Sequence, residues 1–442
     1  MKDAARLAAV IDILDLIDEA LEEGGLPADA IVTNYFRNRR YAGSKDRRAV
    51  SNRVYAVLRE REQLDWALRQ FDHEPTARLR VIANFIKYGL GTYDFLQQDE
   101  DPHAPEPLNE SEEALVAELE EADWSAIDKD YITNVPQWLI PSFKSRFSED
   151  WMHESEALCH RAPLDVRVNR LKGWRKKAQE SLAKEGFDSE IAPMSPTGLR
   201  LQENKALQSS RAFVEGLIEI QDEAAQLASH LVAAKPGQQI LDLCAGGGGK
   251  SLAVAGHMDN KGQIFATDTN ARRLASFKER AKRADMHNLQ TQELEEQGKE
   301  RRKWLGRREG HMDRVIVDVP CSGTGVWRRS PDLRWRLSPE SLQEFVAKQK
   351  SLINEAATCV KLDGRLIYMT CSLLVEENEA VVDEFLAANT NFKALDWRTV
   401  WADVMPDVSK PDSAALKQEY LQLTPARHKC DGFFVAILER TE

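Results

Sequence analysis

Gln239-Ile-Leu-Asp-Leu-Cys-Ala-Gly-Gly-Gly-Gly-Lys-Ser251 is the stretch whose reading decides the fold. A short apolar run ends at Cys244. Gly246, Gly247, Gly248 and Gly249 follow, then Lys250 and a helical pattern from Ser251. The order is strand, tight loop, helix. Glycines let the backbone approach a ligand closely, and a helix start offers free N–H groups and a positive dipole end to an anionic group. The stretch therefore predicts a nucleotide-like ligand at the carboxyl end of a parallel strand. Two phosphate motifs fail by one residue each. A Walker A loop that places Gly249-Lys250-Ser251 at its end needs glycine at 244, where Cys244 stands. A dinucleotide Gly-x-Gly-x-x-Gly begun at Gly246 needs glycine at 251, where Ser251 stands.

Further strand candidates follow at 263–267, 314–318, 364–370 and 432–438, with helical patterns between most of them. That alternation predicts an α/β domain with a largely parallel sheet. Asp268 closes the second strand, where a carboxylate can accept both hydroxyls of a ribose; capping the next helix is an equally good use of it. Arg273 lies in the first turns of that helix.

Two later strands end in thiols: Val315-Ile-Val-Asp318-Val-Pro-Cys321-Ser-Gly-Thr-Gly325 and Leu366-Ile-Tyr-Met-Thr-Cys371-Ser372. A lone cysteine is most often a small buried hydrophobe. Two at the same edge of one sheet are placed where ligands bind. A thiolate there suits one chemistry in particular. Added to C6 of a cytosine, it makes C5 nucleophilic enough to take a methyl group, splitting one hard step into two. Arg328, Arg329, Arg334 and Arg336, interleaved with Trp327 and Trp335, suit a wall for RNA backbone and stacked bases, or tryptophans packed on the sheet.

The motifs at 241–250, 318–325, 328–335 and 368–372, with Glu376-Glu-Asn-Glu379 and His428-Lys-Cys-Asp-Gly-Phe-Phe434, resemble the RNA 5-methylcytosine methyltransferases of the Sun (RsmB-type) family over residues 131–442. The N-terminal stretch, Gly43-Ser-Lys-Asp-Arg-Arg48 leading into Val54-Tyr-Ala-Val-Leu58, is similar to a NusB-like RNA-binding domain. The resemblance implies S-adenosylmethionine as cofactor, with Cys371 as nucleophile and Cys321 as the thiol that assists release. Asp318 would touch cofactor and base. Cys244, Ala245, Gly246, Gly247, Gly248, Gly249 and Lys250 would hold the methionine part, Lys250 on its carboxylate, and Asp268 with Arg273 the ribose. The chain departs from the family in two places. Gly247-Gly248 stand where the family carries a proline before Gly249-Lys250, and the family's adenine-side aspartate is not evident. Glu293 and Glu295 are the acids in that region.

The implied fold class is an α/β Rossmann-like methyltransferase domain (216–442), an all-helical NusB-like domain (1–96), an acidic linker (97–130) and a small α+β RNA-binding module (131–215). Net charge is −12, yet residues 99–130 alone hold thirteen Asp/Glu and one Lys, so the remainder is balanced. An RNA partner is therefore compatible with the composition, ribosomal RNA first and transfer RNA second. Nine Arg/Lys between Arg37 and Arg61 form either a solvated helical face or a phosphate patch. Six scattered cysteines without a Cys-x-x-Cys pair predict free thiols and no zinc. No apolar run is long enough for a membrane span. The sequence thus points to a cytoplasmic monomer that methylates RNA. A non-catalytic RNA-binding protein on the same scaffold is the runner-up, and a nucleotide hydrolase is remote.

Overall fold

Leu7, Val10, Leu14 and Ile17 recur at helical spacing and are all buried on one face of α1 (Asp3–Glu22). That face begins the core of a helical unit in the computed structural model, which describes residues 1–90, 103–202 and 207–442. The described residues divide into two compact units, Met1–Arg161 with Val326–Ser338, and Ala162–Gly325 with Pro339–Glu442.

In the first unit α1 is followed by α2 (Ala28–Arg37), α3 (Ser44–Arg59), α4 (Arg61–Gln70) and α5 (Ala77–Lys87). Then come α6 (Glu110–Glu121), α7 (Ile140–Phe147) and α8 (Trp151–Ala157). The second half of the acidic stretch, where the sequence allows a helix at 111–121, forms α6. Asn109 and Glu112 close a capping box on α6, Arg78 Nε donates to Glu112 at 2.7 Å, and Leu115 and Leu119 are buried in the helical core. Residues 97–102 of the expected linker lie outside the described residues.

The expected RNA wall is corrected here. Residues 326–338 belong to the helical unit. Trp327 stacks on Phe143, ring centroids 5.8 Å apart. The fully buried Arg334 guanidinium lies 4.6 Å over Trp327. Trp335 Nε1 donates to the Leu58 carbonyl at 2.8 Å, and Arg59 Nη2 donates to the Arg328 carbonyl at 2.7 Å. Asp332 Oδ2 accepts the Ala28 N–H at 3.0 Å and so caps α2 from a distant part of the chain. Arg334 and Arg336 sit among these rings because their guanidiniums find ring faces and carbonyls inside the helical unit.

The second unit holds two sheets. The smaller is antiparallel, in order β2-β3-β1-β4, from β1 (Leu164–Val168), β2 (Ser189–Ile191), β3 (Gly198–Leu201) and β4 (Ile218–Ile220), with α9 (Arg175–Ala183) after β1. Its last strand, β4, lies just past residue 215, and residues 131–161 group with the helices in this division of the chain.

The larger sheet is built from β5 (Gln239–Asp242), β6 (Gln263–Asp268), β7 (Leu289–Glu293), β8 (Met312–Asp318), β9 (Val360–Thr370), β10 (Phe392–Leu395), β11 (Leu421–Leu423) and β12 (Phe433–Arg440). Its order is β10-β12-β9-β8-β5-β6-β7, with β11 also pairing β12. The neighbours from β7 to β9 are parallel and β12 runs antiparallel to β9. The helices used below are α10 (Glu223–Leu231), α11 (Gly249–His257), α12 (Ala271–Ala284) and α13 (Pro339–Cys359). Strand order reverses at β5, so its carboxyl end is the switch point where doubly wound sheets bind ligands.

Candidate active site

The glycine loop leaves β5 at this switch point. Leu243 and Ala245 donate their N–H groups to the carbonyls of Ile316 and Thr267, at 3.0 and 2.8 Å, which ties the loop to both neighbouring strands. Gly248 caps α11 with φ +77°, and a Cβ there would fall 2.0 Å from the Phe277 ring. Only glycine meets both demands. Ser251 Oγ donates to Asp242 Oδ2 at 2.7 Å, while Asp242 Oδ1 is buried without a partner among the described residues. Burial pushes the Asp242 carboxyl up to about 7, against the Ser251 hydrogen bond.

Asp268 is not the cap of α12. Asn270 is, accepting from the N–H groups of Arg272 and Arg273. Asp268 Oδ2 instead accepts the Gly246 N–H at 2.8 Å, and Oδ1 accepts the Asn270 N–H at 2.8 Å. Glu293 is its register partner on β7 and is exposed at the same strand end. Arg273 is exposed in the first turn of α12. Two turns later, Arg280 does what no sequence signal announced. Its Nη1 donates to the Gly247 carbonyl at 2.5 Å, while Nη2 is held by Glu219 at 3.0 Å. A guanidinium thus pins the backbone of the glycine loop at Gly247.

Lys250, in the first turn of α11, meets Asp318 at the end of β8. Burial alone would lower the Lys250 pKa, but the charge and hydrogen bond of Asp318 outweigh it, and the net direction is upward. Its ammonium also lies 4.9 Å from the centre of the Phe433 ring. Cys244 is partly buried against apolar neighbours, and desolvation drives its thiol pKa upward.

The two strand-end thiols come together. Cys321 Sγ and Cys371 Sγ are 3.4 Å apart. The Cys321 pKa is pushed well up, first by its hydrogen bond to Cys371, then by burial and by the charges of Cys371 and Glu377. The loops carrying them are joined directly. Gly325 donates its N–H to the Cys371 carbonyl at 2.9 Å, and Leu373 donates its N–H to Thr324 Oγ1 at 2.7 Å. One thiol of such a pair can ionise while the other keeps its proton.

Residues 229–439 match the family model of the 16S rRNA methyltransferase RsmB/F, and residues 135–208 match the ferredoxin-like domain of the same RsmF/B-like proteins. The chain belongs to the Sun/RsmB-type methyltransferase family. It is 29% identical over 432 residues to the probable ribosomal RNA small subunit methyltransferase B of Synechocystis, covering 89% of this chain and 91% of that one. It is 28% identical over 450 residues to ribosomal RNA small subunit methyltransferase B of Cronobacter sakazakii, covering 97% and 98%. A methyltransferase homologue from Pyrococcus horikoshii shares its fold, with TM-score 0.60, 24% identity and coverage of 72% and 100%.

Sun/RsmB-type chains are S-adenosylmethionine-dependent enzymes of rRNA methylation, and S-adenosylmethionine is the cofactor here. The residues present fit that group. Gly246 has φ +54° and open space where a Cβ would be, so the backbone is bare for a close ligand. Asp268, ending β6, accepts the Gly246 N–H, and Asp318, ending β8, meets Lys250 of the same loop. No helix among the described residues is long and apolar enough to cross a membrane.

Proposed function

We propose that the protein methylates C5 of a cytosine in 16S rRNA through a covalent bond between Cys371 Sγ and C6 of the base. The observation that carries this reading is the contact of Cys321 and Cys371 at 3.4 Å, at the ends of adjacent strands. Asp318 ends the same strand that leads to Cys321. A methyltransferase acting on an already nucleophilic atom needs no thiol; cytosine C5 does.

Bound S-adenosylmethionine supplies an electrophilic methyl group, held by residues 244–250, Asp268, Arg273 and Glu293. Cys371 adds as thiolate to C6, and the pair of electrons displaced from the C5–C6 double bond makes C5 the nucleophile. Asp318, paired with Lys250, meets the base edge and passes a proton to N3, an acceptor, as the thiolate adds to C6. After methylation a base removes the C5 proton, the C6–Sγ bond breaks, and its electrons return to Cys371. Cys321, in contact with Cys371, assists that release. The target base must be flipped or unpaired, because a stacked cytosine hides its C5–C6 edge.

The helical unit serves as a NusB-like RNA-binding domain. Of the nine basic residues from Arg37 to Arg61, Arg37, Arg40, Lys45 and Arg48 are exposed, with Tyr41 beside them. The enzyme works in the cytoplasm as a monomer, with rRNA as the first substrate and transfer RNA as the second to test.

Cys371→Ala abolishes methyl transfer on this reading. Cys321→Ala accumulates an RNA–protein adduct that survives a denaturing gel, and bisulfite sequencing of 16S rRNA locates the modified cytosine. Full turnover by Cys371→Ala overturns the covalent mechanism, whereas a wild-type protein that binds no S-adenosylmethionine in calorimetry leaves the RNA-binding scaffold as the better reading.

A further inference from the structure

Glu377 is a fully buried carboxylate whose partners are all neutral. Its Oε1 accepts the Ser322 N–H at 2.8 Å and Gln349 Nε2 at 2.9 Å. Its Oε2 accepts the Ser372 hydroxyl at 2.5 Å and the Ser322 hydroxyl. Four donors fill the acceptor capacity of one carboxylate. Burying a carboxylate without a cation is costly, and a fold that needed only packing would place an apolar residue there.

The identity of the donors shows what the charge is used for. Ser322 directly follows Cys321, and Ser372 directly follows Cys371. One carboxylate therefore grips both thiol loops at the same position of each. The grip extends outward. Gln349 Nε2 also donates to the carbonyl of Pro320, the residue before Cys321, at 2.9 Å. Tyr368 on β9 donates its hydroxyl to the Glu377 carbonyl at 2.6 Å. Asn378 Nδ2 donates to the Ser372 carbonyl at 2.9 Å. Gln349 Oε1 is left buried without a partner among the described residues. Turning that amide over would aim its oxygen at the carboxylate and at a carbonyl, so the two acceptors fix its orientation.

We propose that Glu377 is a positioning residue for the thiol pair, setting the spacing and relative orientation of Cys321 and Cys371. The inference rests on the roles given to the two cysteines above. Glu377 also acts at a distance through its charge, which nothing adjacent neutralises and which opposes a second thiolate beside the first. Deletion of that charge loosens the geometry and weakens the hold of Cys321 on its proton.

The test uses the full-length protein with Glu377→Gln and Glu377→Asp, each checked for folding by thermal melting. An amide in place of the carboxylate turns an NH2 group toward two of the four donors. In Glu377→Gln, kcat at saturating RNA and cofactor falls about 100-fold, the scale of a misplaced reacting group, while cofactor affinity stays within about twofold. Alkylation by iodoacetamide, followed at each cysteine by peptide mass spectrometry, begins at lower pH for Cys321 than in the wild type. Glu377→Asp restores part of the wild-type alkylation profile. Should Glu377→Gln not fold, Ser322→Ala and Gln349→Ala remove the donors singly, and each gives a smaller change in the same direction. A folded Glu377→Gln protein with unchanged alkylation profiles at both thiols, or with kcat within about twofold of wild type, overturns the inference. A wild-type protein inactive on every RNA defeats the cytosine reading instead, and the alkylation profiles still decide this one.

Discussion

Lys250 Nζ lies 2.5 Å from Asp318 Oδ2, joining the first turn of the helix after the glycine loop to the end of the strand that leads into the first thiol loop. Removing one partner of a largely buried pair leaves the other charge uncompensated. Lys250→Met lowers unfolding stability by about 1–3 kcal/mol, discounted from a fully buried pair because Asp318 is partly exposed. Asp318→Asn does the same, and the double variant recovers part of the loss. Urea titration of the four proteins measures that coupling, and strict additivity would show that the pair is not coupled.

The loop glycines are not equivalent. Gly248→Ala forces a Cβ into the Phe277 ring at a left-handed backbone position, costing at least about 2–3 kcal/mol and abolishing cofactor binding. Gly246→Ala meets only the backbone penalty, because the space around it is open, and costs about 1–2 kcal/mol. Calorimetry with S-adenosylmethionine and thermal melting separate the two.

Arg334→Ala tests the corrected placement of the arginine-tryptophan segment. A fully buried guanidinium stacked on Trp327 is part of the core, so its loss costs about 3 kcal/mol and leaves the salt dependence of RNA binding unchanged. Lys45→Ala, on the exposed patch, does the reverse, lowering the salt slope by about one with no change in melting.

Asp242 gives the fold a pH dependence. Its folded-state pKa of about 7 lies above the ordinary carboxylate value of about 3.9. Below the ordinary value both states hold the proton and nothing is lost. Between the two values the unfolded chain releases a proton that the folded chain retains, so stability falls as pH rises, by up to about 1.4 kcal/mol per pH unit. Above pH 7 the loss is complete. Asp242→Asn flattens this window in urea titrations from pH 5 to 8, and an unchanged slope in the variant would assign the dependence to another group.

Much of the α/β unit was legible because buried parallel strands read as apolar runs ending in distinctive residues. The expected strands ending near Cys244, Thr267, Asp318, Thr370 and Leu438 correspond to β5, β6, β8, β9 and β12. Strand β7, Leu289-Gln-Thr-Gln-Glu293, escaped notice because an exposed edge strand needs no apolar pattern. The thiols were legible from their motifs, but their partners were not. Glu377 lies in a run that the sequence marks only by its family resemblance, and only tertiary structure shows it buried between the two thiol loops. Arg280 is one of several basic residues on a helix, and its reach to Gly247 depends on a fold that spacing does not encode. The segment with Trp327 and Trp335 failed for the opposite reason, since basic and aromatic residues alternate alike in a nucleic-acid wall and in a cation–π core.

The helical unit is completed by residues 326–338, far downstream of the helices they seal. On the ribosome, the N-terminal helices emerge long before Trp327, Asp332 and Arg334 exist. At 5–20 residues per second the wait is on the order of ten to thirty seconds. Through that interval the cap of α2 and the ring stacked on Phe143 are missing, and the nascent helices present an open apolar seam. Chaperone occupancy during synthesis should therefore persist over the helical unit until the active-site strands have been made, so that the first part of the chain to appear is among the last to be finished.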